Sequence, residues 1–182
     1  MPLLDARDPF VLDTRELGRR PGSMRAVRRT VAAPSGFGLN LTAVPVGSPI
    51  ELDLRLEAVM EGVLVSGRAA ATVHGECARC LDPVSFPVEA ELCELYAYPG
   101  HESDDEDIGR LEGDLINFEP QLRDAIVLAL PLRPVCDDEC AGLCATCGVR
   151  LADEPAEHSH DEADPRWAAL RLVRLDPEKS ER

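Results

Sequence analysis

Eight side chains that can bind soft metal ions stand in two separate parts of this sequence. Cys77 and Cys80 form one closely spaced pair. The others follow further along the chain: Cys136, Cys140, Cys144, Cys147, His158 and His160. Zinc is bound by thiolates and imidazoles, and a gap of two residues lets one tight turn present two sulfurs to the ion. The spacing predicts a zinc-binding protein, with either two closed tetrahedral sites or one site and spare ligands.

The same cysteines could in principle serve redox chemistry or catalysis. A dithiol redox centre has its first thiol at a helix N-terminus, whereas Cys77 follows one predicted strand and Cys80 leads into another. A catalytic zinc needs an open coordination position and a general base, and no GxGxxG, GxSxG, HExxH or phosphate-loop motif occurs. We therefore predict that the protein is not an enzyme. Two alternatives stay open: a redox-sensing zinc protein that responds to oxidation of Cys144 and Cys147, and a general zinc-ribbon adaptor.

The composition is that of a globular protein with an acidic body. Of its 182 residues 45% are hydrophobic, and the net charge is -15. The longest apolar run, 125–130, is far shorter than the roughly 20 residues of a membrane span, and the first residues lack the apolar stretch of a signal peptide. We expect a cytoplasmic protein, and in that compartment clustered cysteines indicate metal binding rather than disulfides.

Positive charge is concentrated in a predicted basic N-terminal arm, residues 1–33. Residues 1–30 carry seven arginines against four acidic residues, a balance of +3, which leaves -18 for the remainder of the chain. Five arginines are candidate contacts for RNA or a protein partner: Arg19, Arg20, Arg25, Arg28 and Arg29. A solvated strand face is the alternative interpretation. Broad phosphate binding needs dense positive charge, so we expect a basic protein partner or an RNA contact confined to the arm.

Residues 34–134 are predicted to form an antiparallel sheet and a core helix. Apolar and polar residues alternate with a period of two over 50–60, 63–73 and 84–92, which is typical of half-buried strands. Short turns separate these runs and predict a meander, with Cys77 and Cys80 at the tip of its second hairpin. Met60 and the other apolar residues of the runs are expected to face the core.

A helix is predicted to begin at about Glu119, because Pro120 suits the first turn and Leu122 and Ile126 share one face. The fold class is therefore α+β, an antiparallel β meander packed by a helix. A C-terminal cysteine-rich zinc-binding lobe with a final helix is predicted over 135–175, and a disordered tail over 176–182. We expect the acidic segment 101–107 to be a flexible loop.

Four stretches together resemble one protein family. They are 76–81 (ECARCL), 128–136 (LALPLRPVC), 142–148 (GLCATCG) and 164–170 (DPRWAAL). In this combination and order the chain is similar to the YceD-like large ribosomal RNA subunit accumulation proteins, and the likeness extends from about residue 17 to residue 172.

The resemblance implies a non-enzymatic role in large-subunit ribosome biogenesis, in which the protein supports accumulation or processing of the large ribosomal RNA. The implied partner is a ribosomal protein or the large-subunit ribosomal RNA itself. Similar members often carry a further pair of cysteines near the position of His158 and His160. Replacement of those cysteines by histidines would preserve two zinc sites.

Overall fold

The computed structural model describes residues 4–100, 108–155, 157–160 and 166–167. Its contacts divide the chain into two units, Met1–Cys140 and Ala141–Arg182. The predicted acidic loop, nearly all of the predicted last helix and the predicted disordered tail lie outside the described residues. Among those residues, no helix is long and apolar enough to cross a membrane.

The described part of the first unit is mostly β-structure with one α-helix. Its strands are β1 (Val11–Asp13), β2 (Met24–Ala32), β3 (Thr42–Ala43), β4 (Pro49–Ala58), β5 (Gly62–Glu76), β6 (Pro83–Ala97), β7 (Gly109–Arg110) and β8 (Leu115–Asn117). The helix α1 spans Glu119–Ala129, and a short 3-10 turn covers Arg15–Leu17. This composition confirms the α+β class.

The main sheet has six strands in the order β2-β4-β5-β6-β7, with β3 also paired to β5. Strands β4, β5 and β6 form the predicted antiparallel meander, and β7 adds to β6 in parallel. Strands β1 and β8 pair separately as a two-stranded ribbon. The β5–β6 hairpin is paired along its full length, from Gly62 opposite Ala97 to Glu76 opposite Pro83.

The predicted alternation places the core on one face of the sheet. The even-numbered residues of β4 are buried from Ile50 to Ala58, while their odd-numbered neighbours are exposed or half-buried. Val63, Val65, Ala69, Ala71 and Val73 of β5 are buried on the same face. Met60 was expected to continue the pattern, and this was wrong. The strand ends at Ala58, so Met60 lies in the turn and is 76% exposed.

Helix α1 covers the core face of β6. It begins at Glu119 with a proline in its first turn, as predicted, and buries Leu122 and Ile126 completely. The hydroxyl of Tyr96 on β6 donates to Oε1 of Gln121 at 3.0 Å, which fixes the helix against the strand.

The second half of the predicted basic arm is strand β2, paired with β4 from Met24 opposite Glu57 to Ala32 opposite Pro49. The first unit ends at Cys140, within the residues 135–175 predicted as the zinc-binding lobe. As a lone cysteine after the third apolar run, Cys93 is expected from the sequence to be a small buried hydrophobic residue. This was wrong, because Cys93 is exposed on β6. Its odd number puts it out of phase with the buried Ala90 and Leu92, so the alternation itself predicts the outer face.

The burial of α1 gives a stability prediction. We expect Ile126→Ala to lower the free energy of unfolding by about 2–5 kcal/mol, because it removes buried methylene groups and leaves a cavity. Leu128→Ala, on the 85% exposed side of the same helix, should change it by less than about 0.5 kcal/mol. Chemical denaturation measures both. Equal effects of the two variants would contradict the packing described.

Candidate metal centres

The tip of the β5–β6 hairpin holds Cys77 and Cys80 in a tight turn. The Cys77 N–H donates to the Asp82 carbonyl at 2.7 Å, and the Leu81 N–H donates back to the Cys77 carbonyl at 2.9 Å. Within this turn the Arg79 N–H points at the Cys77 sulfur, 3.4 Å away. Both cysteines are buried. The turn therefore presents two sulfurs on one side, as a metal-binding knuckle requires.

The segment after α1 brings two more cysteines to the same place. The Ala78 N–H donates to the Pro134 carbonyl at 2.7 Å, which joins the hairpin tip to this segment. The Arg79 guanidinium then donates to the carbonyls of Asp138 at 2.9 Å and Cys140 at 3.0 Å. Prolines 131 and 134 prevent α1 from continuing, so the chain turns back across the tip.

The four sulfurs of Cys77, Cys80, Cys136 and Cys140 form the first cluster, and all lie within 4.8 Å of one another. The Cys77–Cys140 separation is 3.9 Å and the Cys80–Cys136 separation is 3.6 Å. A tetrahedron with metal–sulfur bonds of about 2.3 Å has sulfur–sulfur edges of about 3.8 Å. The cluster therefore has the size of a tetrahedral tetrathiolate site.

The thiols of the first cluster differ in acidity. Backbone N–H groups, above all that of Cys80, lower the pKa of Cys77 to about 6. Burial, with hydrogen bonds from the neighbouring thiols, raises the pKa of Cys80 to about 12. A hydrogen bond with Cys140 raises the pKa of Cys136. One thiolate forms readily here, while further deprotonation would gather like charges in a buried place unless a cation compensates them.

The second unit contains a knuckle of the same construction. The Cys144 N–H donates to the Val149 carbonyl and the Gly148 N–H donates to the Cys144 carbonyl, each at 2.8 Å. These bonds repeat the offsets of the hairpin tip, five residues forward and four residues back. Backbone N–H groups of Cys147 and Thr146 lower the pKa of Cys144 to about 6. The corresponding N–H groups of the hairpin tip have the same effect on the pKa of Cys77. Two separate segments therefore fold into one local pattern.

Two histidines complete a second cluster with this knuckle. Nε2 of His160 lies 3.2 Å from Sγ of Cys147 and 3.1 Å from Nε2 of His158. Nε2 of His158 lies 3.6 Å from the same sulfur, and one ligand atom from each of Cys144, Cys147, His158 and His160 lies within 4.8 Å of the others. A metal with two sulfur and two nitrogen ligands fits these separations.

Glu154 supports His158 from the side away from the cluster. One carboxylate oxygen, Oε2, lies 3.4 Å from Nδ1 of His158. A histidine that binds metal through one ring nitrogen commonly donates from the other to a carboxylate, which fixes its tautomer and orientation. Sequence reasoning missed Glu154. Its position four residues before His158 was the available signal.

All eight predicted ligands therefore fall into two groups of four, either of which could hold a metal ion. The sequence left open which ligands share an ion. In the structure the hairpin tip groups with the segment after α1, and the second knuckle groups with the two histidines. The donors are the thiolates and imidazoles that zinc prefers, in two sets of four. Both groups suit a structural ion better than a catalytic one.

Two of the predicted contact arginines bind within the protein. Nη1 of Arg25 donates to the Asp13 carbonyl at 3.1 Å, and the side chain pairs with Glu16. The Arg29 guanidinium donates to the Val11 carbonyl at 3.3 Å, and its Cζ lies 5.2 Å from the centre of the Phe118 ring. Burial lowers the pKa of Arg29. These two side chains attach the β1–β8 ribbon to β2.

The other three arginines point elsewhere. Arg28 lies on the opposite, outer face of β2 and pairs with Asp53 at 3.1 Å. Cζ of Arg19 lies 5.1 Å from the centre of the Tyr98 ring, and Arg20 is exposed. The five arginines thus do not form one continuous surface. Contact with RNA or a partner stays a prediction for them.

The fold and the site define a class of protein: a small α+β protein with two four-ligand clusters built from cysteine and histidine. The sequence profile of the family described as large ribosomal RNA subunit accumulation protein YceD matches residues 65–173. This match covers both clusters. The chain belongs to the YceD family.

Proteins similar to this chain occur in mycobacteria and bacilli. The uncharacterized protein Rv2926c of Mycobacterium tuberculosis is 47% identical over 174 residues, which cover 93% of this chain and 83% of that protein. ML1660 of Mycobacterium leprae is 42% identical over 166 residues, with 89% and 76% covered. YlbN of Bacillus subtilis is 31% identical over 116 residues, with 59% and 66% covered. No solved structure matches the chain significantly.

Glu154 provides a test of the second cluster. In a Cys77→Ser background, which removes a ligand of the first cluster, Glu154→Gln should weaken zinc binding about 10- to 100-fold, because His158 loses its orienting acceptor. Competition with a chromophoric chelator measures the affinity. Asp153→Asn is the matched control, since it neutralises an adjacent exposed carboxylate. Equal affinities of the two variants would contradict the role given to Glu154.

Proposed function

We propose that the protein is a non-enzymatic factor for large-subunit ribosome biogenesis, stabilised by two zinc ions. The observation that carries the proposal is the position of both four-ligand clusters inside the region that matches the YceD profile. In this proposal Cys77, Cys80, Cys136 and Cys140 hold one ion, and Cys144, Cys147, His158 and His160 hold the other. The arrangement of donors and their separations support zinc over harder cations, which prefer oxygen.

Zinc would act on folding rather than on a substrate. Cys80 and Cys136 are 56 residues apart, so a shared ion closes a long loop and stabilises the segment after α1 against the hairpin. In the second unit the described residues from Ala141 onward include few buried apolar side chains. A metal ion supplies the folding free energy that such a segment cannot obtain from a hydrophobic core.

The ribosomal part of the proposal is supported by the family description, which names accumulation of the large ribosomal RNA. The net charge of -15 disfavours broad contact with RNA phosphates. A basic protein is the better electrostatic match for such a surface, and ribosomal proteins offer that charge. We propose that the protein works in the cytoplasm and that Arg19 and Arg20, which are exposed, supply any local RNA contact.

Metal content per chain tests the zinc assignment. We expect two zinc ions in the wild type, matching the two clusters, and one in either Cys77→Ser or Cys144→Ser, because each removes a ligand from one closed site. The double variant should bind none. Native mass spectrometry counts the ions.

Cys93→Ser is the matched control for these variants, since Cys93 is exposed and belongs to neither cluster. It should keep both ions. A wild type without zinc, or loss of both ions in each single variant, would overturn the assignment of two independent sites.

Depletion tests the ribosomal role. In cells that lack the protein, the ratio of large- to small-subunit ribosomal RNA should fall, because the large subunit would not accumulate. Wild type and Cys93→Ser should restore the ratio, and Cys77→Ser should not. Sucrose-gradient profiles and RNA quantification measure this. Unchanged subunit profiles after depletion would refute the function proposed.

A further inference from the structure

Three exposed leucines lie on the segments that lead to the first cluster: Leu81 in the hairpin tip, Leu128 on α1 and Leu132 in the segment after α1. Leu81 is 57% exposed, Leu128 is 85% exposed and Leu132 is 82% exposed. Leu81 directly follows Cys80, and Leu132 stands two residues before Pro134, whose carbonyl accepts from the hairpin tip at 2.7 Å. A chain reaches at most about 3.6 Å per residue, so Leu132 lies within about 7 Å of that hydrogen-bonded contact. Leu81 and Leu132 therefore lie close together, and neighbouring exposed apolar groups mark an interaction site.

The backbone of Leu81 adds an independent observation. Its φ is 62°, in the left-handed region that leucine rarely adopts, whereas Gly148 occupies the equivalent position of the second knuckle with φ 72°. The turn therefore favours glycine at this position. Leucine strains the backbone there and exposes its side chain to water, so it gives the isolated fold no benefit. Such strain points to a use outside the fold.

The charges beside these leucines indicate what they bind. Asp137, Asp138 and Glu139 are consecutive and exposed. Arg79 is occupied by backbone carbonyls, and exposed Arg133 is the cation nearest to Leu132 in sequence. Four thiolates around one divalent ion would add a net charge of about -2. Leu81 and Leu132 thus lie beside a predominantly negative rim.

We propose that Leu81, Leu128 and Leu132 form a docking surface for a basic amphipathic helix of a protein partner. Such a helix offers apolar side chains at intervals of three and four residues, which suits three separated leucines, and lysines or arginines for the acidic rim. RNA is a poorer match, because its phosphates would face the carboxylates of the rim. A second copy of this chain is also a poorer match, because two acidic rims would repel each other.

This inference deepens the proposed function by naming the chemistry of the partner. It draws on that proposal for the charge of the metal-loaded cluster and for the ribosomal origin of the partner. The leucines, the strained turn and the three carboxylates are independent of it.

Leu81→Gly separates docking from folding. The variant removes the exposed side chain but supplies the residue that the turn favours, so its melting temperature should stay the same or rise. Leu128→Ser and Leu132→Ser are companion variants. Met60→Ser is the matched control, because Met60 is 76% exposed in the turn at the opposite end of β5.

The probe is a synthetic peptide of about 18 residues, long enough to form a helix, with leucines on one face and lysines on the other. Fluorescence anisotropy should show binding to the zinc-loaded wild type and to Met60→Ser. Binding to Leu81→Gly should be weaker by about tenfold or more. Equal affinity for Leu81→Gly and the wild type, or equal binding of a scrambled peptide of the same composition, would overturn the proposal.

Crosslinking in cells identifies the class of partner. A photoreactive residue at position 81 should crosslink to a basic ribosomal protein, and one at position 60 should not. Crosslinks from position 81 only to RNA, only to a second copy, or to nothing would overturn the docking surface. If depletion lowers large-subunit RNA while Leu81→Gly restores it fully, the proposed function stands and the docking surface fails.

Discussion

The structure depends on the convergence of four thiols at one end of a long β-hairpin. The sulfurs of the first cluster lie within 4.8 Å of one another, and two of the cysteines are buried. Four thiolates cannot share such a place without a cation, since like charges at this distance repel strongly in a poorly solvated environment. The full pairing of β5 with β6 and the packing of α1 on β6 bring both halves of the cluster together. In the proposed function, a metal ion bound there fastens the sheet to the segment that leads into the second unit.

The repetition of one knuckle in both units gives this account its chemical basis. In each knuckle, backbone N–H groups stabilise the first thiolate, so the pKa of Cys77 and of Cys144 is about 6. Both can therefore bind a metal near neutral pH with little competition from protons. The remaining ligands differ. In the first cluster they are three thiols, of which Cys80 is buried and Cys136 is exposed, and in the second they are the Cys147 thiol and two histidines, with a carboxylate beside His158.

Much of the sheet could be predicted because its apolar residues recur at every second position and all face the core on one side of the sheet. The alternation in β4 and β5 and the first turn of α1 are local properties of the sequence. The prediction for Met60 was wrong because the alternation was extended past the end of β4. The prediction for Cys93 was wrong because the alternation was not applied to it. Ligand pairing could not be predicted, because Cys80 and Cys136 meet only through a fold that spans 56 residues. The contacts of Arg25 and Arg29 with the β1–β8 ribbon could not be predicted either, because they depend on where the ribbon lies in the fold.

X-ray absorption at the zinc edge tests the central claim most directly, because it reports the ligands themselves. One tetrathiolate site and one site with two thiolates and two imidazoles average to three sulfurs and one nitrogen per zinc. The account predicts this ratio, with zinc–sulfur distances of about 2.3 Å and zinc–nitrogen distances of about 2.0 Å. A spectrum dominated by oxygen or nitrogen ligands, or six-coordinate zinc, would contradict it.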